Sequence, residues 1–216
     1  QGYDTKRFYV WYDAVIGYLS GTKEWAQITG NPEAWRTFWD PKTNANARLY
    51  NFIGKDNIAF HTIIWPAMLL AHGDLNVPYD VPANNYITMY GSKASKSRAN
   101  VIPIRKALDR YQADAWRYAL TAMAPESDDV DFTWDDFQDR VNSELLNKWG
   151  NLVNRILSFS FKRFNGQIPT PGVLDAADEE LLAQIRNGFA GVGALFEAVK
   201  LRAAAIELIR LTELVN

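Results

Sequence analysis

The order of apolar and turn-forming residues between positions 49 and 90 constrains the fold of this chain more than any other feature. Residues 49–53 form an apolar run that ends at Gly54, which is typical of a buried strand. Residues 58–70 are mostly apolar over a length that suits a helix, and residues 85–90 have the composition of another strand. A strand, a helix and a strand in this order predict a parallel sheet, with ligand sites at the carboxyl ends of its strands.

The predicted helix has signals at both ends and one in its middle. Asp56 and Asn57 favour a helix start, and Gly73 favours its end. Pro66 lacks a backbone N–H, so we expect it to kink the helix at the preceding turn. Aromatic and β-branched residues also fill positions 7–12, and for these we predict a further strand.

From about residue 131 onward the pattern changes to that of helices. Apolar residues at spacings of three and four define one face of a first helix, with Trp149 assigned to the core: Val141, Leu145, Trp149, Leu152, Ile156 and Phe159. A second long pattern comprises Val192, Leu195, Phe196, Val199, Ala203, Ile206 and Ile209. Residues 168–172, Ile-Pro-Thr-Pro-Gly, predict the break between the helices. The predicted fold class is α/β, with half of a parallel sheet, a basic connector and an α-helical bundle.

The composition excludes several classes of protein and site. The 216 residues include no cysteine, which excludes a disulfide framework, a thiolate zinc site and a cysteine nucleophile. The longest apolar run, residues 63–71, contains a proline and is too short to span a bilayer, and no signal peptide opens the chain. We therefore expect a cytoplasmic protein with no membrane partner. Because the chain begins with Gln1 rather than methionine, we also expect a fragment or a processed product.

The net charge of −2 conceals two segments of opposite charge. Residues 91–117 hold seven basic and two acidic side chains, whereas residues 126–139 hold seven acidic side chains and no basic one. We interpret the acidic run as a solvated linker. The basic segment contains Gly91-Ser-Lys-Ala-Ser-Lys-Ser-Arg98, whose lysines and hydroxyls suit a polyphosphate. It lacks the Walker A spacing, so on pattern alone a surface lysine loop is an equal alternative.

The region after the first predicted strand carries residues suited to a ligand site. Gly54 and Asp56 lie where a strand ends, a position from which a carboxylate can bind a ribose hydroxyl. Asn57, His61 and Trp65 are spaced by four and share one helix face. Taken alone, a single histidine on an apolar helix is more often a core residue than a ligand residue.

Three segments, taken together and in order, resemble the methionine–tRNA ligases, which are class I aminoacyl-tRNA synthetases. The matches are Tyr-Val-Trp-x-Asp-Ala-x-Ile-Gly-Tyr at 9–18, Phe-Ile-Gly-Lys-Asp-Asn-Ile-x-Phe-His at 52–61, and Lys-x-Ser-Lys-Ser at 93–97. The resemblance continues through residues 131–134, 140–144 and 151–155 and is weakest after about residue 165.

This resemblance implies a Rossmann-type sheet and three parts. Residues 1–91 would be the C-terminal half of the catalytic domain, residues 92–132 a lysine-loop connector, and residues 133–216 an anticodon-binding bundle. The family's His-x-Gly-His type signature and its inserted, often zinc-bearing domain are absent from the chain. The implied ligands are methionine, methionine tRNA, and ATP with Mg²⁺. The missing N-terminal half is the implied protein partner, and zinc would belong only to that half.

The resemblance also implies roles for individual residues, none of them as a metal ligand. Contacts with the reacting triphosphate are implied for Lys93, Ser95, Lys96 and Ser97. ATP binding is implied for Gly54, Asp56, Ile87 and Lys96. The methionine pocket would comprise Trp11, Ala14, Val15, Tyr18, Phe60, His61 and Trp65, with His61 holding the Tyr18 hydroxyl near the sulfur. Anticodon recognition is implied for Asn151 and Arg155.

Three functions remain open from the sequence. The first is part of a methionine–tRNA ligase that forms methionyl-adenylate from methionine and ATP and transfers the amino acid to the 3′ end of methionine tRNA. The second is a non-catalytic tRNA-binding module, because a half-site without the ATP signature cannot activate an amino acid. The third is a ligase for leucine, valine or isoleucine, which the aromatic pocket disfavours.

Overall fold

The computed structural model describes residues 2, 4–7, 9–93 and 101–216, without the side chains of Trp11, Tyr12 and Lys93. The chain divides into two compact units, Gln1–Asn85 and Tyr86–Asn216. The three-part division at residues 91 and 132 stays a prediction. Across the described ranges, no helix is both long and apolar enough to cross a lipid bilayer.

The first unit combines helices with short parallel strands. Its helices are α1 (Val10–Ala14), α2 (Gly17–Ile28), α3 (Arg36–Trp39) and α4 (Trp65–His72), with a 3₁₀ turn at Lys55–Asn57 and a π-helical turn at Phe60–Ile64. Its strands are β1 (Leu49–Tyr50), β2 (Ile53–Gly54), β3 (Pro78–Asp80) and β4 (Ala83–Asn84).

Parallel pairing of strands on either side of the predicted helix is confirmed, but the partners lie at residues 78–84 and not in the strand predicted at residues 85–90, which belongs to the second unit. Strand β1 pairs in parallel with β3, and β2 pairs in parallel with β4, while α4 connects the two sides. The helix ends at Gly73, whose φ of 77° is accessible to glycine at no steric cost. Pro66 stands in the first turn of α4, directly after the π-helical turn. The disturbance of the helix therefore lies where the sequence predicts the effect of this proline.

The strand predicted for residues 7–12 is wrong from Val10 onward, where α1 (Val10–Ala14) begins, whereas Tyr9 has an extended backbone. The reason lies in the residues that follow. Val15, directly after α1, is buried in the core cluster, and Leu19, four residues later in α2, packs half-buried against the same cluster. Tertiary packing here overrides the strand preference of aromatic and β-branched residues.

The core of the first unit is built around two tryptophans. The rings of Trp39 and Trp65 meet edge to face at 5.9 Å, and both residues are buried together with Val15 and Leu69. The indole N–H of Trp39 donates to the Thr22 hydroxyl at 3.1 Å, so that burial leaves no unpaired donor on this ring.

The second unit consists of a small sheet and a set of helices. Its strands are β5 (Ile87–Met89), β6 (Ser92–Lys93) and β7 (Val130–Phe132). Its helices are α5 (Ile104–Arg110), α6 (Ala113–Ala122), α7 (Trp134–Asp139), α8 (Asn151–Phe164), α9 (Ala176–Glu197) and α10 (Leu201–Val215), with a π-helical segment at Arg140–Gly150 between α7 and α8.

The sheet of the second unit has the order β6-β5-β7, so the strand predicted at residues 85–90 is confirmed as its central strand. Strand β5 is antiparallel to β6 and parallel to β7. Beneath it, Trp116 and Phe137 pack with ring centroids 4.3 Å apart, and Phe132 stacks on Trp116 at 5.9 Å. The indole N–H of Trp116 donates to the carbonyl of Ala107 at 2.8 Å.

The predicted core position of Trp149 is wrong, because 54% of this residue is exposed. The apolar face assigned to this helix passes through the π-helical segment Arg140–Gly150. A π-helix forms i→i+5 hydrogen bonds and has more residues per turn, so a spacing of three and four no longer stays on one face. Val141, Leu145 and Leu152 are half-buried, whereas Ile156 and Phe159 are exposed with Trp149.

A polar contact joins α6 to the π-helical segment. The hydroxyl of Tyr118 donates to the Glu144 carboxylate, which also lies 3.8 Å from Arg140. Burial and this bond to Glu144 together raise the pKa of Tyr118 above its ordinary value.

The break predicted at residues 168–172 is confirmed, since α8 ends at Phe164 and α9 begins at Ala176 with Asp175 as its N-cap. Residues 192–209 do not form one helix, however. The backbone turns at Val199, whose φ is 55°, and N–H groups of Val199 and Lys200 donate to the carbonyls of Phe196 and Leu195 at 2.9 Å each. These two bonds form a Schellman motif, which usually has glycine at this position.

Helices α9 and α10 pack closely at one glycine. A Cβ atom built on Gly188 would lie 2.2 Å from Cδ2 of Leu211. Only the absence of a side chain at Gly188 therefore allows Leu211 to bury its own side chain against α9.

Candidate functional site

A chain of hydrogen bonds links α2 to the π-helical turn Phe60–Ile64, which directly precedes α4. The hydroxyl of Tyr18 lies 2.7 Å from Nε2 of His61, and Nδ1 of His61 lies 2.9 Å from the carbonyl oxygen of Asn57. Asn57 is four residues before His61, so the helical turn itself brings its carbonyl to the ring. His61 is only 4% exposed, whereas Tyr18 is 42% exposed. The tyrosine is thus the solvent-facing member of a pair whose histidine is buried.

The partners of His61 determine which ring nitrogen carries the proton. A carbonyl oxygen only accepts hydrogen bonds, so Nδ1 must carry a hydrogen in order to bind Asn57. In the neutral ring Nε2 is then an acceptor, and the Tyr18 hydroxyl donates to it. The Tyr18 oxygen consequently keeps its lone pairs free to face a ligand.

The aromatic wall beside this pair is formed by Trp65. Its ring centroid lies 6.4 Å from that of Tyr18, and the residue is 2% exposed. Its indole Nε1 is buried and has no hydrogen-bond partner. Such orphaned donors are infrequent in folded proteins. Val15 is buried in one core cluster with Trp65, and Tyr18 contacts both Trp65 and His61, so these four residues of the implied pocket lie close together.

The other predicted pocket residues are placed less uniformly. Phe60 packs on the same core cluster, and its ring lies 6.1 Å from that of Tyr9. Ala14 is exposed at the end of α1. For Trp11 the structure describes the backbone in α1 but not the side chain, so its role in a pocket stays a prediction.

A cavity of about 610 Å³ opens beside Tyr18 on the surface of the first unit. Its lining consists of Gly17, Tyr18, Gly21, Thr22, Trp25, Phe38, Trp39, Leu49, Tyr50 and Asn51. The walls are mostly apolar, and the buried amide oxygen of Asn51 has no hydrogen-bond partner. Tyr18 therefore both lines this cavity and bonds the buried His61.

The predicted nucleotide-binding residues are only partly described. Gly54 ends β2 in extended conformation, and Asp56 is exposed in the 3₁₀ turn that follows. Ile87 begins β5 in the second unit and packs on the core beneath it. Lys93 ends β6, but its side chain is not described, and Ser95, Lys96 and Ser97 lie outside the described residues.

The two predicted anticodon-binding residues are exposed on α8 and both have partners within the unit. The amide nitrogen of Asn151 donates to the carbonyl of Asn147 at 2.8 Å. The guanidinium of Arg155 donates to the backbone oxygen of Asn216 at 3.2 Å and to its side-chain oxygen at 2.8 Å. The side-chain oxygen of Asn151 takes part in none of these three hydrogen bonds.

Comparison with protein families identifies the chain. The model of the family described as tRNA synthetases class I (M) matches residues 1–157, which is most of the chain. The chain belongs to this family. The predicted fold class, a half Rossmann-type sheet followed by helices, is therefore also confirmed.

Curated relatives of this chain are named methionine–tRNA ligases. The protein of Roseiflexus castenholzii is 52% identical over 213 residues, which are 98% of this chain and 36% of the relative. That of Chloroflexus aggregans is 48% identical over 229 residues, covering 99% of this chain and 38% of the relative. The chain thus spans little more than a third of the length of these relatives.

A solved structure gives the same family. The Mycobacterium tuberculosis methionyl-tRNA synthetase in complex with methionyl-adenylate has a TM-score of 0.80 and 30% sequence identity. The match covers 95% of this chain and 38% of the other.

Sequence reasoning missed two groups that hold the site together. The Asn57 carbonyl fixes the proton of His61, and its position four residues before a helical histidine was a signal that could have revealed it. Trp39 supports Trp65 from beneath, and no local pattern indicates this contact because α3 and α4 are separated by two strands.

Proposed function

We propose that this chain is part of a methionine–tRNA ligase that activates methionine with ATP and transfers it to the 3′ end of methionine tRNA. The observation that carries the proposal is the Tyr18–His61–Trp65 cluster, in a chain whose family and relatives are those given above. A thioether is apolar and polarizable, and it gains from contact with aromatic rings. A polar group at the end of an otherwise apolar pocket adds discrimination that one methylene cannot supply.

The proposed reaction has two steps. A carboxylate oxygen of methionine attacks the α-phosphorus of ATP, a new P–O bond forms, and the bond to the bridging oxygen breaks so that pyrophosphate leaves. A ribose hydroxyl of the tRNA then attacks the adenylate carbonyl, loses its proton and displaces AMP. In such reactions the protein contributes mainly by positioning and by stabilising charge.

We propose that residues of this chain divide those tasks as the resemblance implies. Lys93, Ser95, Lys96 and Ser97 would contact the triphosphate, where Mg²⁺ enters with the phosphates of ATP. Gly54, Asp56 and the backbone of Ile87 would contact the adenosine. Asn151 and Arg155 would bind anticodon bases, which requires Arg155 to exchange Asn216 for RNA. The cytoplasm is the proposed location.

The test is a hybrid protein in which residues 1–216 replace the matching segment of the Roseiflexus castenholzii ligase. Methionine-dependent exchange of pyrophosphate into ATP is the expected result, with leucine as the control amino acid. A folded hybrid, verified by circular dichroism, that shows no exchange while the unmodified Roseiflexus enzyme does would contradict the proposal. Exchange with leucine, valine or isoleucine in place of methionine would favour the alternative ligases.

A second candidate, a non-catalytic tRNA-binding module, is favoured by the surface of α8. Phe159 and Phe161 are exposed there beside Lys162 and Arg163, and residues 145–174 contain four basic and no acidic side chains. Aromatic rings interleaved with cations suit unstacked bases. The chain alone should then bind a methionine tRNA anticodon stem-loop, and Arg155→Ala should abolish this binding. Equal binding by Arg155→Ala would count against the assigned role of Arg155.

A further inference from the structure

The connection between β5 and β6 is a tight hairpin with an unusual residue in its loop. Met89 pairs with Ser92, which leaves Tyr90 and Gly91 as a two-residue loop. Their φ values are 51° and 71°, both in the left-handed region, as in a type I′ turn. Asparagine or glycine is usual at the first position, whereas tyrosine there is strained by about 1–2 kcal/mol. Other contacts must therefore hold this loop.

The contact that holds the loop comes from β7, which lies on the opposite side of β5 from β6. Oδ1 of Asp131, on β7, accepts a hydrogen bond from the backbone N–H of Gly91 at 2.8 Å. The same oxygen accepts a bond from the Thr88 hydroxyl at 2.5 Å. Thr88 and Asp131 are register partners in the parallel pair of β5 and β7, so the sheet itself fixes the position of the carboxylate.

This arrangement uses a donor that the hairpin leaves unpaired. In a two-residue I′ loop the ladder bonds join the flanking residues, here Met89 and Ser92, and the N–H of the second loop residue has no ladder partner. A carboxylate that accepts a backbone N–H forms a charge-assisted bond, which is about twice as strong as a neutral one. Asp131 thus supplies the strongest acceptor available to the Gly91 N–H.

We propose that Asp131 is a positioning residue for Lys93, one of the lysines to which the proposed function assigns the triphosphate. It fixes the Tyr90 and Gly91 backbone and therefore the direction in which β6 carries Ser92 and Lys93. Asp131 acts through Thr88 and Gly91 and makes no contact with substrate. The proposal rests on the proposed function, because only in a ligase does the direction of Lys93 affect the transfer of the adenylyl group.

Asp129 is a matched control on the same segment. Its Oδ1 accepts a hydrogen bond from the backbone N–H of Tyr86 at 2.9 Å. Tyr86 directly precedes β5, so this bond lies at the opposite end of β5 from the Tyr90 and Gly91 loop. Asp129→Ala removes a comparable bond without touching Gly91. Thr88→Val removes the hydroxyl from the Asp131 pair while it preserves the shape of the side chain.

The first experiment measures amide hydrogen exchange of Gly91 in the full chain by NMR. In Asp131→Ala we expect Gly91 to exchange at least about tenfold faster than in the unsubstituted chain, since its acceptor is gone. Asp131→Asn keeps an oxygen in place and should largely restore protection. Asp129→Ala should leave Gly91 unchanged. Equal protection of Gly91 in Asp131→Ala would overturn the inference.

The second experiment measures pyrophosphate exchange in the hybrid ligase. Asp131→Ala should lower kcat by about 10- to 100-fold, as expected for displaced catalytic groups, with the KM for methionine changed less than about twofold. Asp131→Asn should recover most of the rate, and Asp129→Ala should retain it. An unchanged kcat in Asp131→Ala would overturn the positioning role while the activity of the unsubstituted hybrid upholds the proposed function. Absence of methionine-dependent exchange in the unsubstituted hybrid would overturn the proposed function and the positioning role, whereas the Gly91 measurement would still decide whether Asp131 holds the loop.

Discussion

The hydroxyl of Tyr18 lies 2.7 Å from Nε2 of His61, and the two residues are 43 positions apart in the sequence. The pair connects α2 with the π-helical turn Phe60–Ile64. It places the Tyr18 hydroxyl close to the ring of Trp65. A buried histidine that is bonded at both nitrogens has little freedom to rotate. The orientation of the Tyr18 hydroxyl is consequently set by the fold.

Removal of that hydroxyl should weaken methionine binding without affecting the chemical step. Tyr18→Phe leaves Nε2 of His61 buried and unpaired, which should lower the free energy of unfolding by about 1–3 kcal/mol. In the hybrid ligase we expect the KM for methionine to rise about tenfold with kcat nearly unchanged. Tyr79→Phe is the control, because Tyr79 packs on Tyr50 outside the cluster. An unchanged KM in Tyr18→Phe would contradict the role of this hydroxyl.

The two core tryptophans should respond differently to the same substitution. Trp39→Phe loses a hydrogen bond to Thr22 as well as ring volume, whereas Trp65→Phe loses only volume because its Nε1 has no partner. We therefore expect Trp39→Phe to destabilise the chain by about 1 kcal/mol more than Trp65→Phe. Denaturant unfolding of the two variants measures the difference, and a larger loss in Trp65→Phe would contradict the structure.

The loss of one lysine should separate adenylate formation from substrate binding. Lys96→Ala removes a cation proposed to stabilise charge on the departing pyrophosphate, and one such contact is typically worth about 2–4 kcal/mol in the transition state. Adenylate formation in the hybrid ligase should slow by two orders of magnitude or more, at about unchanged methionine affinity. Single-turnover kinetics and equilibrium binding supply the two measurements. Similar losses in both would contradict the assignment.

Substitution of two glycines on α9 should have effects of opposite sign. In Gly188→Ala the new Cβ would collide with Leu211, and we expect a loss of about 1–3 kcal/mol in stability. Gly191→Ala meets no atom within 4 Å and should stabilise the helix by about 0.5–1 kcal/mol. Thermal unfolding distinguishes the two. In a Leu211→Ala background the cost of Gly188→Ala should be smaller than in the unsubstituted chain, since the colliding atoms are gone, although Leu211→Ala alone is destabilising because it removes a buried side chain.

Replacement of Val199, which lies between α9 and α10, by glycine should stabilise the chain. Val199 has a φ of 55°, which is strained for a β-branched side chain and is easily adopted by glycine. Val199→Gly should therefore raise the free energy of unfolding by up to about 1 kcal/mol. Val153→Gly, within α8, should lower it by a similar amount because glycine is unfavourable inside a helix. Destabilisation by Val199→Gly would show that the lost contacts of the valine outweigh the strain.

The parts of the fold that follow local signals were predictable. Gly54 and Gly73 mark the limits of a helical connection, and Pro66 marks the disturbance within it. The helix at Val10–Ala14 was not predictable, because its residues favour a strand and the packing of the following Val15 and Leu19 on the core is a tertiary effect.

The break at Val199 was hidden for a related reason, since no sequence signal marks a β-branched residue in left-handed conformation. At the candidate site, the resemblance predicted that Tyr18 and His61 meet, and the structure confirms this contact. It gave no indication of Asp131 beneath the Tyr90 and Gly91 loop, because that contact depends on the register of β5 and β7. The roles assigned to the individual site residues stay predictions until the kinetic measurements are made.

The carbonyl of Asn57 has one more consequence for the neighbouring tyrosine. Since Nδ1 of His61 holds its hydrogen against that oxygen, any additional proton on the imidazole has to enter at Nε2. There it would reverse the bond to Tyr18: the ring would donate, and the phenol would turn its own hydrogen outward, toward an acceptor such as a sulfur atom. A single backbone oxygen thereby couples the charge of a buried ring to whether the adjacent hydroxyl gives or receives a hydrogen bond.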